Sequence, residues 1–156
     1  MSRPLEEGDY RRLLRLRTDL RRFLRWSEDQ AAGAGLTPAQ HQLLLAIRGH
    51  DGEGGPTIGD TAAHLLLRHH SAVGLVDRAV KAGLVERRQD DKDHRIVRLR
   101  LTPHGQEVLE RLSAVHLEEL ERLAPRIREI WPDGEHPQPS RDRMGATTQE
   151  AEREKP

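Results

Sequence analysis

The spacing of apolar residues changes near residue 84, and this change constrains the fold more than any other feature of the sequence. Between residues 57 and 82 apolar residues recur every three or four positions, as on helices that bury one face. Between residues 96 and 101 they mostly alternate with arginines, which is typical of a strand. A short strand also begins at Leu84-Val85, and the polar segment 89–94 separates the two strands. We therefore expect helices followed by a β-hairpin.

The segment before the hairpin predicts two helices joined by a tight turn. Thr57, with Asp60 three positions later, has the pattern of a helix-capping pair. The first helix should cover residues 57–66 and the second roughly 69–82. Gly83 then supplies a helix-terminating glycine.

Two longer amphipathic helices should flank this unit, at residues 10–32 and 104–130, and Thr37-Pro38 should begin a further helix. Pro125 should kink the last helix or make it restart. Only 35% of the residues are apolar, below the roughly 45–50% of average globular proteins. The long stripes therefore lack a sufficient core within one chain.

Several classes of protein are excluded by what the sequence lacks. Without cysteine it has no disulfides, thiolate metal sites or cysteine nucleophile. No apolar run approaches the about 18 residues of a membrane-spanning helix, and residues 1–10 do not resemble a secretory signal. It also has no glycine-rich phosphate loop or serine nucleophile motif. We expect a soluble cytoplasmic protein that is not an enzyme and needs no cofactor.

Charge is distributed unevenly although the net charge is zero. Residues 9–26 hold seven arginines against two aspartates, residues 57–105 are also basic, and residues 106–156 are acidic. This polarity suggests an oriented contact with a polyanion, although ordinary solvated helix faces would look the same.

The order of the predicted elements is that of a winged helix-turn-helix, in a mainly α (α+β) fold. In such a unit the second helix of the pair fits the major groove of DNA, and the hairpin, or wing, reaches the neighbouring minor groove. We divide the chain into a long N-terminal helix at 1–35, a winged helix-turn-helix domain at 36–102 and a long C-terminal helix at 103–131. A disordered tail should follow at 132–156, where the sequence has almost no apolar residues.

The segments 70–78 and 82–87 resemble the recognition helix and first wing strand of the MarR family of regulators. Asp93-His94-Arg95, followed by Leu101-Thr102 and Gly105, is similar to that family's wing signature. Leu36-Thr37 with Gln40 is similar to the start of its second helix, so that the resemblance covers residues 10–130. It implies a homodimer, joined through the N- and C-terminal helices, that binds a pseudo-palindromic DNA operator. It also implies a transcriptional repressor that a small-molecule ligand releases.

The resemblance also implies which residues contact DNA. Ser71 should contact a base or phosphate, Arg95 should enter the minor groove, and Asp93 should orient Arg95. Gly74 departs from many family members, which carry a side chain there, and a glycine within a helix costs about 1 kcal/mol relative to alanine. The predicted DNA-binding set is His69, His70, Ser71, Gly74, Arg78, Lys81, Lys92, Asp93, His94 and Arg95.

Other interpretations of the same residues remain open. A pocket for a small aromatic or anionic effector would include Arg22, Phe23, Trp26 and His41, unless these residues only pack in the core. Two histidine sets are weak candidates for a metal-responsive regulator, so we expect no metal site. Gly74 and the acidic wing tip, formed by Asp90, Asp91 and Asp93, would also suit a protein–protein interaction module without DNA binding. The histidine sets are His64, His69 and His70, and His41, His104 and His116.

Overall fold

A computed structural model describes residues 4–130, which form five α-helices and one two-stranded antiparallel sheet. This architecture confirms the predicted mainly α, winged helix-turn-helix fold. The predicted tail lies outside the described residues. The elements are α1 (Glu7–Gly33), α2 (Pro38–Arg48), α3 (Ile58–His64), α4 (His69–Lys81), β1 (Val85–Gln89), β2 (Val97–Leu101) and α5 (Pro103–Ile130).

Reciprocal side-chain caps begin α2 and α3. The sequence predicted the capping pair of α3, whereas for α2 it predicted a helix start at Thr37-Pro38 but not the part that Gln40 plays. The Thr37 hydroxyl accepts from the Gln40 backbone N–H at 3.1 Å, and the Gln40 side chain accepts from the Thr37 N–H at 3.0 Å. Thr57 and Asp60 repeat this arrangement on α3. The hydrogen bonds from Thr57 hold the pKa of Asp60 below its usual value. Both caps satisfy backbone N–H groups that a helix start would otherwise leave free.

The core lies where α2, α4, the sheet and the first half of α5 meet. The sheet pairs Val85 with Leu101 and Gln89 with Val97, so that Leu99 points inward and is fully buried. Leu75 of α4 also lies in the core, although we did not expect it among the apolar positions of that helix. The most deeply buried large side chains include Leu43, Leu44, Val76, Val85 and Leu99.

Of the two outcomes expected at Pro125, a kink or a restart of the last helix, the restart does not occur. α5 continues through this proline to Ile130. Pro125 removes one backbone N–H, and both it and Glu121, whose carbonyl loses that partner, lie on the exposed side of the helix. Solvent can satisfy the freed carbonyl there, which makes an uninterrupted helix tolerable.

The two long helices pack against each other but leave much of their apolar surface uncovered. Arg126 of α5 donates to Asp19 of α1 at 2.9 Å, and this buried carboxylate joins the two helices. No helix within residues 4–130 is both long enough and apolar enough to cross a membrane. The exposed large apolar side chains on α1 and α5 are Tyr10, Leu13, Leu14, Leu20, Leu24, Leu117, Leu120 and Ile127.

Candidate nucleic-acid interface

Helix α4 packs one face into the core and leaves the other open to solvent. Ala72, Leu75, Val76 and Ala79 are buried. On the other side, Gly74 is half-buried and the remaining predicted contact residues of the helix are exposed. The structure thus brings these predicted residues together on one accessible surface. The exposed ones are His69, His70, Ser71, Arg78 and Lys81.

The turn before α4 contains a residue in the left-handed conformation. Leu66 has φ +53° and is the only residue other than glycine with positive φ in the described part of the chain. Its N–H donates to the carbonyl of Ala63, and the Leu67 N–H donates back to Ala62, which closes the end of α3. Sequence analysis located the break but missed this conformation, because glycine usually marks it.

Asp90 organises the wing tip. One oxygen of its carboxylate accepts from the backbone N–H groups of Lys92 at 2.8 Å and Asp93 at 3.0 Å. The other oxygen forms an ion pair with Arg98 of β2. These interactions, with the Arg98 hydrogen bond the largest, hold the pKa of Asp90 far below its usual value. Sequence analysis counted Asp90 only as an acidic charge and missed its role in shaping the tip.

Arg95 projects from this tip and is held by Asp93 at two points. Its Nε and Nη2 lie 3.0 and 2.9 Å from the two oxygens of Asp93, whose Oδ1 also accepts from the Arg95 N–H. The Arg95 side chain is nevertheless 90% exposed. The hydrogen bonds lower the pKa of Asp93 and raise that of Arg95. The predicted neighbours Lys92 and His94 are exposed beside it.

Polar contacts join the wing to the rest of the helix-turn-helix. Arg87 of β1 donates to Asp77 of α4 at 2.6 Å. Arg98 donates to the carbonyl of Gly55, in the loop between α2 and α3, at 2.9 Å. The distance between α4 and the hairpin is therefore set by direct bonds as well as by the core.

The four predicted pocket residues separate into two places. Phe23, Trp26 and His41 gather around His116 of α5, with ring centroids 6.0, 4.8 and 4.7 Å from that of His116. Arg22 does not join this ring cluster. It pairs with Asp19 at 3.6 Å and lines a groove of about 470 Å³ between α1 and the end of α5.

His116 holds the ring cluster in place through both ring nitrogens. Its Nδ1 lies 2.7 Å from the carbonyl of Leu112, so this nitrogen carries the proton in the neutral ring. Its Nε2 then accepts from the Ser27 hydroxyl at 2.7 Å. His41 is buried, and burial, followed by the charge of His116, lowers its pKa. No sequence pattern indicates the Ser27–His116 contact, which joins residues 89 positions apart.

The histidine sets considered for metal binding are not assembled as such. His64 faces His50, with 3.2 Å between their ring nitrogens, rather than His69 and His70. His116 meets His41, while His104 is exposed at the start of α5. Within residues 4–130 no group of three or more histidine, aspartate or glutamate side chains could hold a metal ion.

A known protein family matches the part of the chain that carries the candidate DNA-binding residues. The sequence profile of the MarR family matches residues 34–96, from the start of α2 to the wing tip. This segment is similar to the corresponding part of MarR-family proteins. The profile contains all ten predicted DNA-binding positions and excludes all of α1, β2 and α5.

One curated relative and two solved structures illustrate the similarity. The relative is an uncharacterized HTH-type transcriptional regulator, YsmB of Bacillus subtilis, 37% identical over 57 residues. That match spans 36% of this chain and only 39% of the relative.

The structural similarity extends beyond the segment that matches the profile. A MarR family protein from Bacillus stearothermophilus has a TM-score of 0.65 at 24% identity, covering 77% of this chain and 82% of that one. The S. aureus MepR–DNA complex has a TM-score of 0.61 at 19% identity, covering 70% and 78%. At such identities these structures support the fold, including the long helices.

Proposed function

We propose that this MarR-family protein is a homodimeric, sequence-specific transcription regulator that binds double-stranded DNA. The observation that carries the proposal is an arginine-tipped wing fixed beside the exposed face of α4. Such a helix fits the major groove, and a guanidinium is attracted into the narrow, strongly negative minor groove nearby. The MepR–DNA complex, in which a protein of this fold binds DNA, supports the same conclusion.

Dimerisation would supply the second half of the DNA-binding surface. The apolar side chains exposed on α1 and α5 lie on the helices that the family resemblance assigns to dimer contacts. A two-fold axis would pair these faces with themselves. It would also present two copies of α4 to DNA, so that the operator should contain two half-sites about one helical turn apart.

The test uses the full-length protein and a duplex covering the DNA upstream of its own gene. Affinity is measured by fluorescence anisotropy across a salt titration, for the wild type and Arg95→Ala. The matched control is Arg122→Ala, which removes one exposed, ion-paired arginine from α5. We expect Arg95→Ala to weaken binding and to reduce the slope against salt by about one unit, because one cationic contact with the DNA is lost.

The control should bind DNA like the wild type. Equal losses in both variants would indicate a nonspecific charge effect, and no binding by the wild type at low salt would contradict the proposed function. An unchanged salt slope for Arg95→Ala would contradict only the role of the wing arginine.

We further propose that the protein represses transcription and that a small aromatic or anionic effector releases it from DNA. The ring cluster of Phe23, Trp26, His41 and His116 supports this, because it connects α1, α2 and α5. A ligand that separated these rings would change the angle between the long helices and the DNA-binding unit.

Trp26 offers a direct measurement of effector binding. Benzoate would be titrated into Trp131→Phe protein, which leaves Trp26 as the single tryptophan. We expect quenching that saturates and DNA release over the same concentration range. Quenching without release would remove the regulatory role, and neither effect would exclude this ligand class from the site.

The alternative function, a protein–protein interaction module, was suggested by Gly74 and by the acidic wing tip, and the second of these arguments is weakened. The acidic wing tip suggested it, but Asp90 and Asp93 are engaged by Arg98 and Arg95. Their charges are balanced locally, so the tip need not repel DNA.

A further inference from the structure

Gly74 leaves a space on the exposed face of α4 that Arg78 occupies. A Cβ placed on Gly74 would lie 3.3 Å from Nη1 of Arg78, which is tighter than an ordinary van der Waals contact. Glycine is among the least favourable residues inside a helix. With glycine here, Nη1 of Arg78 lies against the helix surface, and a Cβ would displace it outward by a few tenths of an ångström.

The position of Arg78 explains how it reaches this space. Side chains on a helix slope towards its N-terminus, so a long side chain covers the turn before its own Cα. The guanidinium of Arg78 therefore lies one turn nearer to the N-terminal half of α4. That half is the part of a recognition helix that contacts base edges.

The Arg78 guanidinium has no side-chain hydrogen bond or ion pair within residues 4–130. The nearby Arg87 differs, because Asp77 holds it at 2.6 Å. An arginine carries five N–H donors in a planar fork. In Arg78 these donors remain available to a ligand that approaches the exposed face of α4.

We propose that Gly74 and Arg78 act as one base-reading unit. The absent side chain at position 74 lets the Arg78 guanidinium lie over the helix and donate two hydrogen bonds to O6 and N7 of a guanine. This inference rests on the proposed function. It also gives a specific role to Arg78, which the sequence analysis placed only in the predicted DNA-binding set.

A phosphate contact and a guanine contact differ in their response to lysine. Lysine keeps the charge and can still bind a phosphate, but it cannot reproduce the rigid bidentate fork. Arg78→Lys should therefore keep the salt dependence of DNA binding while losing a base preference. Arg78→Ala should lose both the preference and the charge.

The experiment selects binding sites from a random duplex library with the full-length wild type, Arg78→Lys and Gly74→Ala. Gly8→Ala is the matched control, because a Cβ on this helical glycine of α1 would meet nothing within 4 Å. We expect the wild type and the control to prefer a G·C pair at one position in each half-site. Arg78→Lys should lose this preference by roughly tenfold or more. Gly74→Ala should weaken it by a smaller factor, because the added Cβ shifts the guanidinium from its position. Circular dichroism should give Gly74→Ala an equal or higher melting temperature, since alanine favours the helix.

The possible failures are distinguishable. A G·C preference that survives in Arg78→Lys would overturn the base-reading role of Arg78. A preference lost in Arg78→Lys but kept in Gly74→Ala would overturn the claim that the two positions act together. A wild type that enriches no sequence would overturn the proposed function, and this inference with it.

Discussion

The winged helix-turn-helix and the two long helices bury their leucines to very different extents. In the first region Leu43 and Leu44 of α2 are completely buried within the chain. In the second, Leu24 of α1 is 53% exposed and Leu117 of α5 is 62% exposed. Both regions carry amphipathic stripes in the sequence, so the stripe alone does not determine what covers it.

The number of packed neighbours explains this contrast. Helix α2 lies among α3, α4, the sheet and α5, and these elements enclose its apolar side. Helices α1 and α5 cover each other only in part, and the rest of their stripes has no covering element within residues 4–130. We infer that the first region is complete in one chain, whereas the second is completed by a second copy.

The largest effect should be on dimer dissociation, when a charge is placed on the uncovered stripe, that is, among the exposed apolar side chains of α1 and α5. Leu20 of α1 and Leu45 of α2 are both 48% exposed, which makes Leu20→Glu and Leu45→Glu a matched pair. A carboxylate at position 20 would be buried twice in a symmetric dimer, and each unpaired charge costs several kcal/mol. We expect Leu20→Glu to raise the dimer dissociation constant about 1,000-fold or more.

Sedimentation velocity over a range of concentrations measures this effect. Leu45→Glu should remain dimeric, and Leu20→Glu should sediment as a folded monomer with wild-type circular dichroism. If Leu20→Glu stayed dimeric, the uncovered stripe would not be the dimer contact.

The second effect concerns the region that we consider complete in one chain. Leu44→Ala should reduce the free energy of unfolding by about 2–5 kcal/mol, because it leaves a cavity in the core. Its neighbour Leu45, which is half-exposed, provides the control Leu45→Ala. Urea denaturation in the Leu20→Glu background removes association from the measurement. Similar losses in the two alanine variants would mean that α2 is less well enclosed than the structure indicates.

The third effect is a pH dependence of the free energy of unfolding, which arises from His41 at the junction of the two regions. Burial and the charge of His116 lower the pKa of His41, so the folded protein disfavours the protonated ring. Below the ordinary histidine pKa of 6.5 the unfolded chain binds a proton that the folded chain resists. Stability should therefore be complete above this pH and fall as the pH decreases through it.

His116 is the charged group that faces His41, so the control for this measurement must separate the two rings. The ring of His41 packs against that of His116 on α5, which itself contacts Phe23 and Trp26 on α1. His41→Gln should flatten the decrease in unfolding free energy between pH 7 and 5, which for one proton cannot exceed about 1.4 kcal/mol per pH unit. An equally steep decrease in this variant would assign the effect to other groups.

The sequence predicted features that depend on neighbouring residues and missed those that depend on the surroundings. The caps at Thr37 and Thr57 were predictable because each lies three residues from its partner. The Ser27–His116 contact was not, because only the packing of α1 on α5 creates it. The restart considered at Pro125 is absent for a similar reason, since an exposed helix face tolerates a lost hydrogen bond.

The candidate site shows the same division. The exposed face of α4 followed from its helical period, and the pairing of Asp93 with Arg95 agrees with the expectation that Asp93 orients this arginine. The role of Asp90 was missed because an acidic loop residue gives no sign that it accepts two backbone hydrogen bonds. The predicted pocket was divided because residues one position apart on α1, such as Arg22 and Phe23, point in different directions.

The smallest expected effect tests the leucine of the winged helix-turn-helix that departs furthest from the regional contrast. Leu66 lies in the helix-turn-helix, yet it is 92% exposed, and its φ of +53° is unfavourable for a residue with a Cβ. Leu66→Gly should relieve this strain and raise the free energy of unfolding by about 1 kcal/mol. Leu66→Ala is the matched control, because it also removes the exposed side chain but keeps the Cβ. Chemical denaturation of both variants separates strain from exposure: if alanine stabilised the protein as much as glycine, the exposed leucine side chain rather than the backbone would be the source of the instability.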